Sequence, residues 1–470
     1  MAAPAPGLDP DICRRARLSR DPRFDGEFFL GVSTTGIYCR PVCPARAPAE
    51  QNVSYFRTAD QAAGAGFRPC LRCRPESAPG SPAWLGTSTT VQRALQLIRQ
   101  GALNTGSLAE LAERLGVGER YLRKLFQREL GVSPHAVALN QRLLFAKKLL
   151  AETAMPVTDV AFAAGFGSVR RFNGAVREHF RLTPGELRRR GSSTSDDSAI
   201  RLQLHYRPPY DWDGVLAFFR RHAIEGLEQV TDTHYRRRLT TVGGTARFSV
   251  SSLPGRTALQ LDLEVPDYRL LMAIVSQVRR TFDLDAAPAM IAGQLGADPV
   301  IAPLLDRCPG IRAPGHGSLY EAAVRAIVGQ QVSTAGARSI CARLATAAGE
   351  TDNPAFPDAR SLARLGDDHF PMPGRRRESL RALGRQFEGR EDKLDLAALS
   401  GLSGVGPWTL AMAGMRGSGD PDSFPAGDLG LQKAWQANTP GGVSLQQHAD
   451  THWRPWRAYA ANLLWRSLSP

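Results

Sequence analysis

The chain has 470 residues, 43% of them hydrophobic and 22% charged, which is enough apolar material for several cores and excludes a disordered polymer. Its net charge of +14, from 59 Lys+Arg against 45 Asp+Glu, points to a polyanionic partner. No run approaches 18 consecutive apolar residues, so no membrane-spanning helix is expected. The basic excess is local: residues 1–190 carry 28 Lys+Arg and 16 Asp+Glu, whereas 191–470 carry 31 and 29. The N-terminus lacks the apolar stretch of a signal peptide. Four of the seven cysteines share one short region, which suits a cytoplasmic metal protein better than a disulfide framework.

The first predicted unit, 1–78, holds Cys39 and Cys43 in IYCRPVC and Cys70 and Cys73 in RPCLRC. Two close pairs, C-x3-C and C-x2-C, separated by 26 residues, have the spacing of one tetrahedral Zn²⁺ site. No histidine precedes residue 135, so all four ligands are sulfur. Such a cluster carries a formal charge of −2 and is usually structural. Here it lies among Arg40, Arg46, Arg57, Arg68, Arg72 and Arg74, a setting that suits a zinc-bound thiolate acting as an alkyl acceptor near phosphate. Converting one thiolate to a thioether changes the cluster charge to −1 and weakens its repulsion of DNA, a switch written in charge. The segment from DGEFFLGVSTTGIYCRPVCPAR to FRPCLRCRPE resembles the N-terminal domain of the Ada adaptive-response family. That resemblance implies irreversible methyl transfer from DNA methylphosphotriesters to Cys39, with Cys43, Cys70 and Cys73 as the remaining ligands. It places Thr35, Arg46 and Arg68 in positions associated with the DNA backbone.

Residues 75–90, rich in Pro, Gly, Ser and Thr, read as a linker into an all-α unit at 84–190. Ser107 with Glu110 forms a predicted capping box; Leu108, Leu111, Ala112 and Leu115 share a face, Gly116 turns the chain, and Glu119–Leu130 form the next helix. The pattern returns with Val160, Ala161 and Ala164, a turn at Gly165, and a helix from Ser168 to Phe180. Short helix, glycine turn and Arg-bearing helix, twice over, is the build of a major-groove reader. The pair resembles the AraC-type DNA-binding domain, with Arg120, Arg123, Lys124, Arg170 and Arg171 as candidate groove or phosphate contacts. A solvated basic face is the plainer explanation for any one of them.

Residues 191–198, GSSTSDDS, read as a second linker. Alternation at Ile200, Leu202 and Leu204, at Phe248 and Val250, and at Leu259, Leu261, Leu263 and Val265 predicts strands in an α+β subdomain at 199–285. Helical periodicity then runs through 286–470. Within it, L-x-G-V-G at Leu402–Gly406 precedes a helix; Gly404, Val405 and Gly406 form a hairpin whose backbone can approach a phosphate. Asp428 follows beyond the Pro/Gly-rich bend SFPAGD, with Asp420 and Asp422 as nearer, solvated competitors. Hairpin, bend and aspartate together resemble the signature of the HhH-GPD DNA glycosylases, which implies a catalytic role for Asp428. A fixed carboxylate stabilises the oxocarbenium character that develops as an N-glycosidic bond breaks. Trp408 and Trp465 are candidate walls for a flipped, cationic alkylated base, against the simpler reading of core tryptophans.

LHYRPPYDWDGVLAFFRRHAIEGLE, CPGIRAPGHGSLYEAAVRAIVGQQVS and HWRPWRAYAANLLW resemble the AlkA family of alkylpurine glycosylases. Trp408 stands where strand-cleaving relatives carry a Schiff-base lysine, so the resemblance implies hydrolysis of 3-methyladenine-type bases to an abasic site. Gln331 stands where some AlkA proteins place an apolar wedge, and Met412 where relatives can be aromatic. Neither Cys308 nor Cys341 matches the Pro-Cys-His-Arg motif of alkylguanine transferases. The expectation is a multidomain α+β chain: small zinc-binding domain, double helix-turn-helix domain, α+β subdomain and all-α helix-hairpin-helix domain. It would be an alkylation-repair enzyme and methylation-triggered activator, cytoplasmic and nucleoid-associated. Double-stranded DNA would be its partner, RNA polymerase a further one, and one Zn²⁺ its cofactor. The competing readings are a DNA-binding regulator with a silent glycosylase module, and a glycosylase whose zinc domain is only a structural clamp.

Overall fold

The computed structural model describes residues 8–75, 78, 89–190, 200–241, 243–349, 354–439 and 443–468. Most of the first linker and all of the second lie outside the described residues. The chain divides into two compact units, 1–208 with 253–276 and 209–252 with 277–470. The segment 199–285 is shared between them.

The first unit opens with a helix, Pro10–Ser19, capped by Asp9, whose carboxylate accepts from the Asp11 and Ile12 amides. A four-stranded sheet follows: β1 (Phe29–Val32), β2 (Ile37–Cys39), β3 (Val53–Phe56) and β4 (Arg68–Pro69), in the order β3-β1-β2-β4. β2 runs antiparallel to β1 and parallel to β4, with Tyr38 opposite Pro69. That register sets Cys39, the last residue of β2, beside Cys70, the first after β4. Phe28, Leu30, Val32 and Tyr55 pack against the cysteines to make the core of this sheet.

The helix-turn-helix pattern folds as its periodicity predicts. Ser107 and Glu110 close their capping box around helix Leu108–Arg114, with amide-to-side-chain distances of 3.2 and 3.0 Å. Gly116 and Gly165 turn the chain at φ of 67° and 79°. Helices Glu119–Leu130 and Val169–Phe180 follow, the second capped by Ser168. Helix Pro134–Glu152 joins the two halves; Leu143, Ala146, Leu149 and Leu150 are at most 1% exposed along it. Strands Ile200–His205 and Ala258–Glu264 pair antiparallel, with Leu202 opposite Leu261 and both fully buried.

In the second unit, strands Glu228–Val230, His234–Thr241 and Gly244–Ser252 form an antiparallel meander beside helix Trp212–His222. Helix Leu319–Gly329 is the centre of a helical core that includes Val324, Ile327, Leu344, Leu380 and Leu383. Its Glu321 pairs with Arg237 of the meander. Glu228 accepts from Tyr235 at 2.6 Å and from Arg325 at 2.7 Å. These buried charges fix register, because each carboxylate is met by more than one donor. Helix Leu396–Ser400, a hairpin and helix Pro407–Ala413 give the expected helix-hairpin-helix, which then widens into a π-turn at Gly414–Ser418. Among the described residues, no helix is long and apolar enough to cross a membrane.

Candidate functional site

The first unit gathers the four predicted ligands. One sulfur from each of Cys39, Cys43, Cys70 and Cys73 lies within 4.8 Å of the others. A tetrahedral Zn–S₄ centre needs sulfurs about 3.8 Å apart, given bonds of about 2.3 Å, so this donor set fits one Zn²⁺. Cys39, Cys70 and Cys73 are 6–8% exposed and Cys43 is more open. The Arg40 amide points at Cys73 Sγ from 3.3 Å and the Arg72 amide at Cys70 Sγ from 3.4 Å, so backbone dipoles already favour negative charge on the cluster. Proton sharing among the crowded sulfurs pushes Cys39 up and pulls Cys43 down.

The surrounding arginines divide into two kinds. Arg40 is buried and forked onto Asp25, with a further bond to the Cys73 carbonyl at 2.9 Å, so it braces the site rather than facing phosphate. Arg74 pairs with Glu152 at 2.9 Å. Arg46, Arg72 and Thr35 are exposed and Arg68 half-buried, which leaves this group to face a backbone.

Lys147 is a residue the pattern did not single out. It is 4% exposed on helix Pro134–Glu152, and its ammonium donates to the Cys70 carbonyl at 3.0 Å. On the same helix, Asn140 donates to Asp60 at 2.6 Å. The cysteine domain therefore docks on the helix joining the two helix-turn-helix halves through buried polar groups. Arg120, Arg123, Lys124, Arg170 and Arg171 all stand exposed on the second helix of their motifs; Arg123 also pairs with Glu119 one turn back.

The second unit contains a cavity of about 1470 Å³ lined by Trp408, Met412, Asp428, Trp465, Gln331 and both hairpin glycines, Gly404 and Gly406. Val405 lies outside that lining and packs against the helical core. Asp428 caps helix Leu429–Asn438. Its Oδ1 accepts from the Leu431 amide at 3.0 Å and from Trp465 Nε1 at 2.9 Å, and its Oδ2 accepts from Trp408 Nε1 at 3.1 Å. A carboxylate has about four lone-pair directions. Three are occupied, and the helix N-terminus adds a favourable dipole. The Asp428 carboxyl group is thus immobilised with one acceptor direction open. The two tryptophans are more than walls: each spends its indole N–H on this carboxylate.

Asp420 and Asp422 are otherwise engaged. Asp420 bonds Ser423 Oγ at 2.7 Å, and Asp422 is paired with Arg457 and Arg454 rather than solvated. Gln331 is exposed at φ 55°, a left-handed conformation that a non-glycine residue holds only where its surroundings impose it. Gln330 beside it bonds the Gly404 carbonyl and Thr409 Oγ1, both at 2.9 Å, tying this segment to the hairpin. Gly404 has φ 83°, and a Cβ there would meet Ser379 Oγ at 2.2 Å, so the hairpin admits only glycine at that position.

Several lining residues escaped the sequence pattern. Phe218 stacks with His222 at 4.3 Å and with His316 at 5.7 Å. Burial draws His222 down to about 4 and His316 well below its usual value, so both are neutral. Arg416, on the π-turn, is 5% exposed. Arg221, Arg307 and Arg338 line the same cavity and are exposed. The near-neutral total of this half conceals that local cationic lining.

Residues 12–76 match the metal-binding domain of Ada, 111–190 a helix-turn-helix domain, and 201–318 the AlkA N-terminal domain. The chain is 40% identical over 484 residues to the "Probable bifunctional transcriptional activator/DNA repair enzyme AlkA" of Mycobacterium tuberculosis, covering 98% of this chain and 97% of that protein. It is 31% identical to "DNA-3-methyladenine glycosylase 2" of Escherichia coli K12, covering 56% of this chain and 95% of that one. It is 35% identical to the "Bifunctional transcriptional activator/DNA repair enzyme Ada" of Escherichia coli K12, covering 40% of this chain and 50% of that one. A sulfur cluster that fits zinc, two groove-reading motifs and a carboxylate at a hairpin-lined cavity agree with that order of matches: the chain belongs to the family of bifunctional transcriptional activator/DNA repair enzymes that join an Ada-type half to an AlkA-type half.

Proposed function

We propose that the chain repairs alkylated DNA at two separate centres and activates transcription through the first. The observation that carries the glycosylase assignment is the cage around Asp428: three donors hold one carboxylate at the wall of a cavity deep enough for a flipped base. A catalytically silent DNA-binding module has no need of so costly an arrangement. As the C1′–N bond of an alkylated base of 3-methyladenine type breaks, its electron pair leaves with the base. Positive charge then builds on the sugar facing Asp428. Water adds to C1′, the proton passes to solvent, and an abasic site remains. Among the described residues no lysine lines the cavity, which supports hydrolysis without strand cleavage. Trp408, Met412 and Trp465 frame the base, the Gly404–Gly406 hairpin holds a phosphate, and Gln331 fills the gap left in the stack.

At the other centre, Cys39 Sγ attacks the methyl carbon of a methylphosphotriester. The new C–S bond forms as the C–O bond breaks, and the phosphate oxygen keeps the electron pair. Bound zinc would keep the four sulfurs as thiolates and so lower the cost of that attack. Arg46, Arg68 and Thr35 face the backbone. Arg120, Arg123, Lys124, Arg170 and Arg171 then hold promoter DNA, with RNA polymerase as the partner of the activated form. Asp428→Asn tests the first centre: base release from an alkylated duplex should fall by several orders of magnitude with duplex binding retained, and unchanged release overturns the assignment.

A further inference from the structure

The base cavity contains a cation where an alkylpurine site would be expected to offer bare aromatic faces. Arg416 is 5% exposed and lines the cavity with Trp465, Phe218 and Asp428. Its guanidinium carbon sits 4.5 Å from the Phe218 ring centroid and 5.3 Å from that of Trp465. Its nitrogens donate to the Pro314 carbonyl at 2.7 Å and to Asn462 Oδ1 at 2.9 Å, so it is locked in place. Burial lowers it to about 9, while Asp283 and Asp428 pull the other way; at neutral pH it stays charged. Neither neighbouring histidine offsets or adds to this charge, because both are neutral.

We propose that Arg416 is a specificity-determining residue of this cavity, narrowing the advantage that cationic bases of 3-methyladenine type hold over neutral modified bases by promoting departure of the neutral ones. The proposal rests on the glycosylase assignment above. The physics follows from where the bonding electrons go. When the C1′–N bond of a neutral base breaks, the pair leaves the base negative, and a buried guanidinium lining the same cavity stabilises that charge. When the base is already cationic, the same pair neutralises it, so Arg416 offers nothing to the departing group and repels the bound substrate. The protein's own cation also occupies cation–π capacity of Trp465 and Phe218 that a cationic base would otherwise use.

The test compares full-length wild type, Arg416→Gln and Arg416→Met on two duplexes of identical sequence, one carrying neutral hypoxanthine and one cationic 7-methylguanine. Arg416→Gln removes the charge and retains a donor for Pro314, and it decides the question should Arg416→Met fail to fold. Charge removal should lower kcat for hypoxanthine about tenfold or more and leave kcat/KM for 7-methylguanine equal or higher. Arg416→Lys, which restores the charge, should recover most of the original ratio. A structural defect lowers both activities together; parallel losses, or an unchanged ratio, overturn the role of Arg416. A wild-type chain that releases neither base overturns the glycosylase assignment instead.

Discussion

Replacing Trp465 or Trp408 by phenylalanine keeps an aromatic wall and deletes one indole N–H from the Asp428 cage. Each bond is short, 2.9 Å for Trp465 and 3.1 Å for Trp408, and each donates to a carboxylate. Hydrogen bonds to charged groups contribute about 1.5–3 kcal/mol. With about 1.4 kcal/mol per tenfold in rate, each substitution should lower kcat for base release by about 10–100-fold if the bond serves to hold Asp428 in its transition-state position. Because both donors act on one carboxylate, the double variant should lose less than the product of the single losses. The assay is single-turnover release of alkylated base, with duplex affinity and melting temperature measured alongside. If both single variants fold and release base at the wild-type rate, the indole bonds do not position the catalytic carboxylate and this reasoning fails.

Four further outcomes follow from other contacts. Gly404→Ala places a methyl group against Ser379 Oγ at φ 83°, so it should destabilise the hairpin by about 1–3 kcal/mol and weaken duplex binding, read by melting and by titration of labelled DNA. Lys147→Met leaves the Cys70 carbonyl without its ammonium donor. It should lower the stability of the first unit by about 1–3 kcal/mol with base release unchanged. Burial lifts Asp60 to about 6, so between about pH 4 and pH 6 the folded chain keeps a proton that the unfolded chain has released. Stability therefore falls as pH rises through that window. Asp60→Asn should remove the slope and raise stability at pH 7 by about 3 kcal/mol, as urea titrations at several pH values will show. Stripping the sulfur cluster with a chelator should expose the first unit to proteolysis and leave the second resistant.

Much of this organisation was legible in the chain itself, and the reasons differ by element. The cysteine spacing needs no tertiary information, since two short loops and one register suffice to bring four sulfurs together. Capping at Ser107 and the glycine turns are local chemistry and fold as read, whereas Ser168, expected as the first residue of its helix, caps it instead. What stayed hidden is carried by single residues meeting across long separations. Trp408 and Trp465 lie 20 and 37 positions from Asp428, and nothing in periodicity says that their N–H groups converge on it. Lys147 and Lys148 carry no motif in the sequence, yet both are buried. Arg40 looks like a phosphate ligand in sequence and is spent on Asp25. Arg416 carries no motif, because its role comes from a π-turn that rotates it inward between two rings.

Net charge misleads for a related reason. Residues 191–470 sum to nearly zero, but many of their carboxylates are consumed in buried pairs such as Glu228 and Glu321 with Arg237 and Arg325. Arg221, Arg307 and Arg338 line the cavity with exposed side chains. Binding there depends on local placement rather than on a total.

The two chemistries proposed for this chain should run independently of one another. One reaction measures it: wild type, Cys39→Ser and Asp428→Asn are each incubated with a randomly methylated duplex, and peptides and free bases are quantified by mass spectrometry from the same tube. Wild type should yield both a methylated Cys39 peptide and released methylated base; Cys39→Ser should lose only the first, and Asp428→Asn only the second. A wild-type chain with no methyl on Cys39, or a single substitution that abolishes both products in a folded protein, would contradict it.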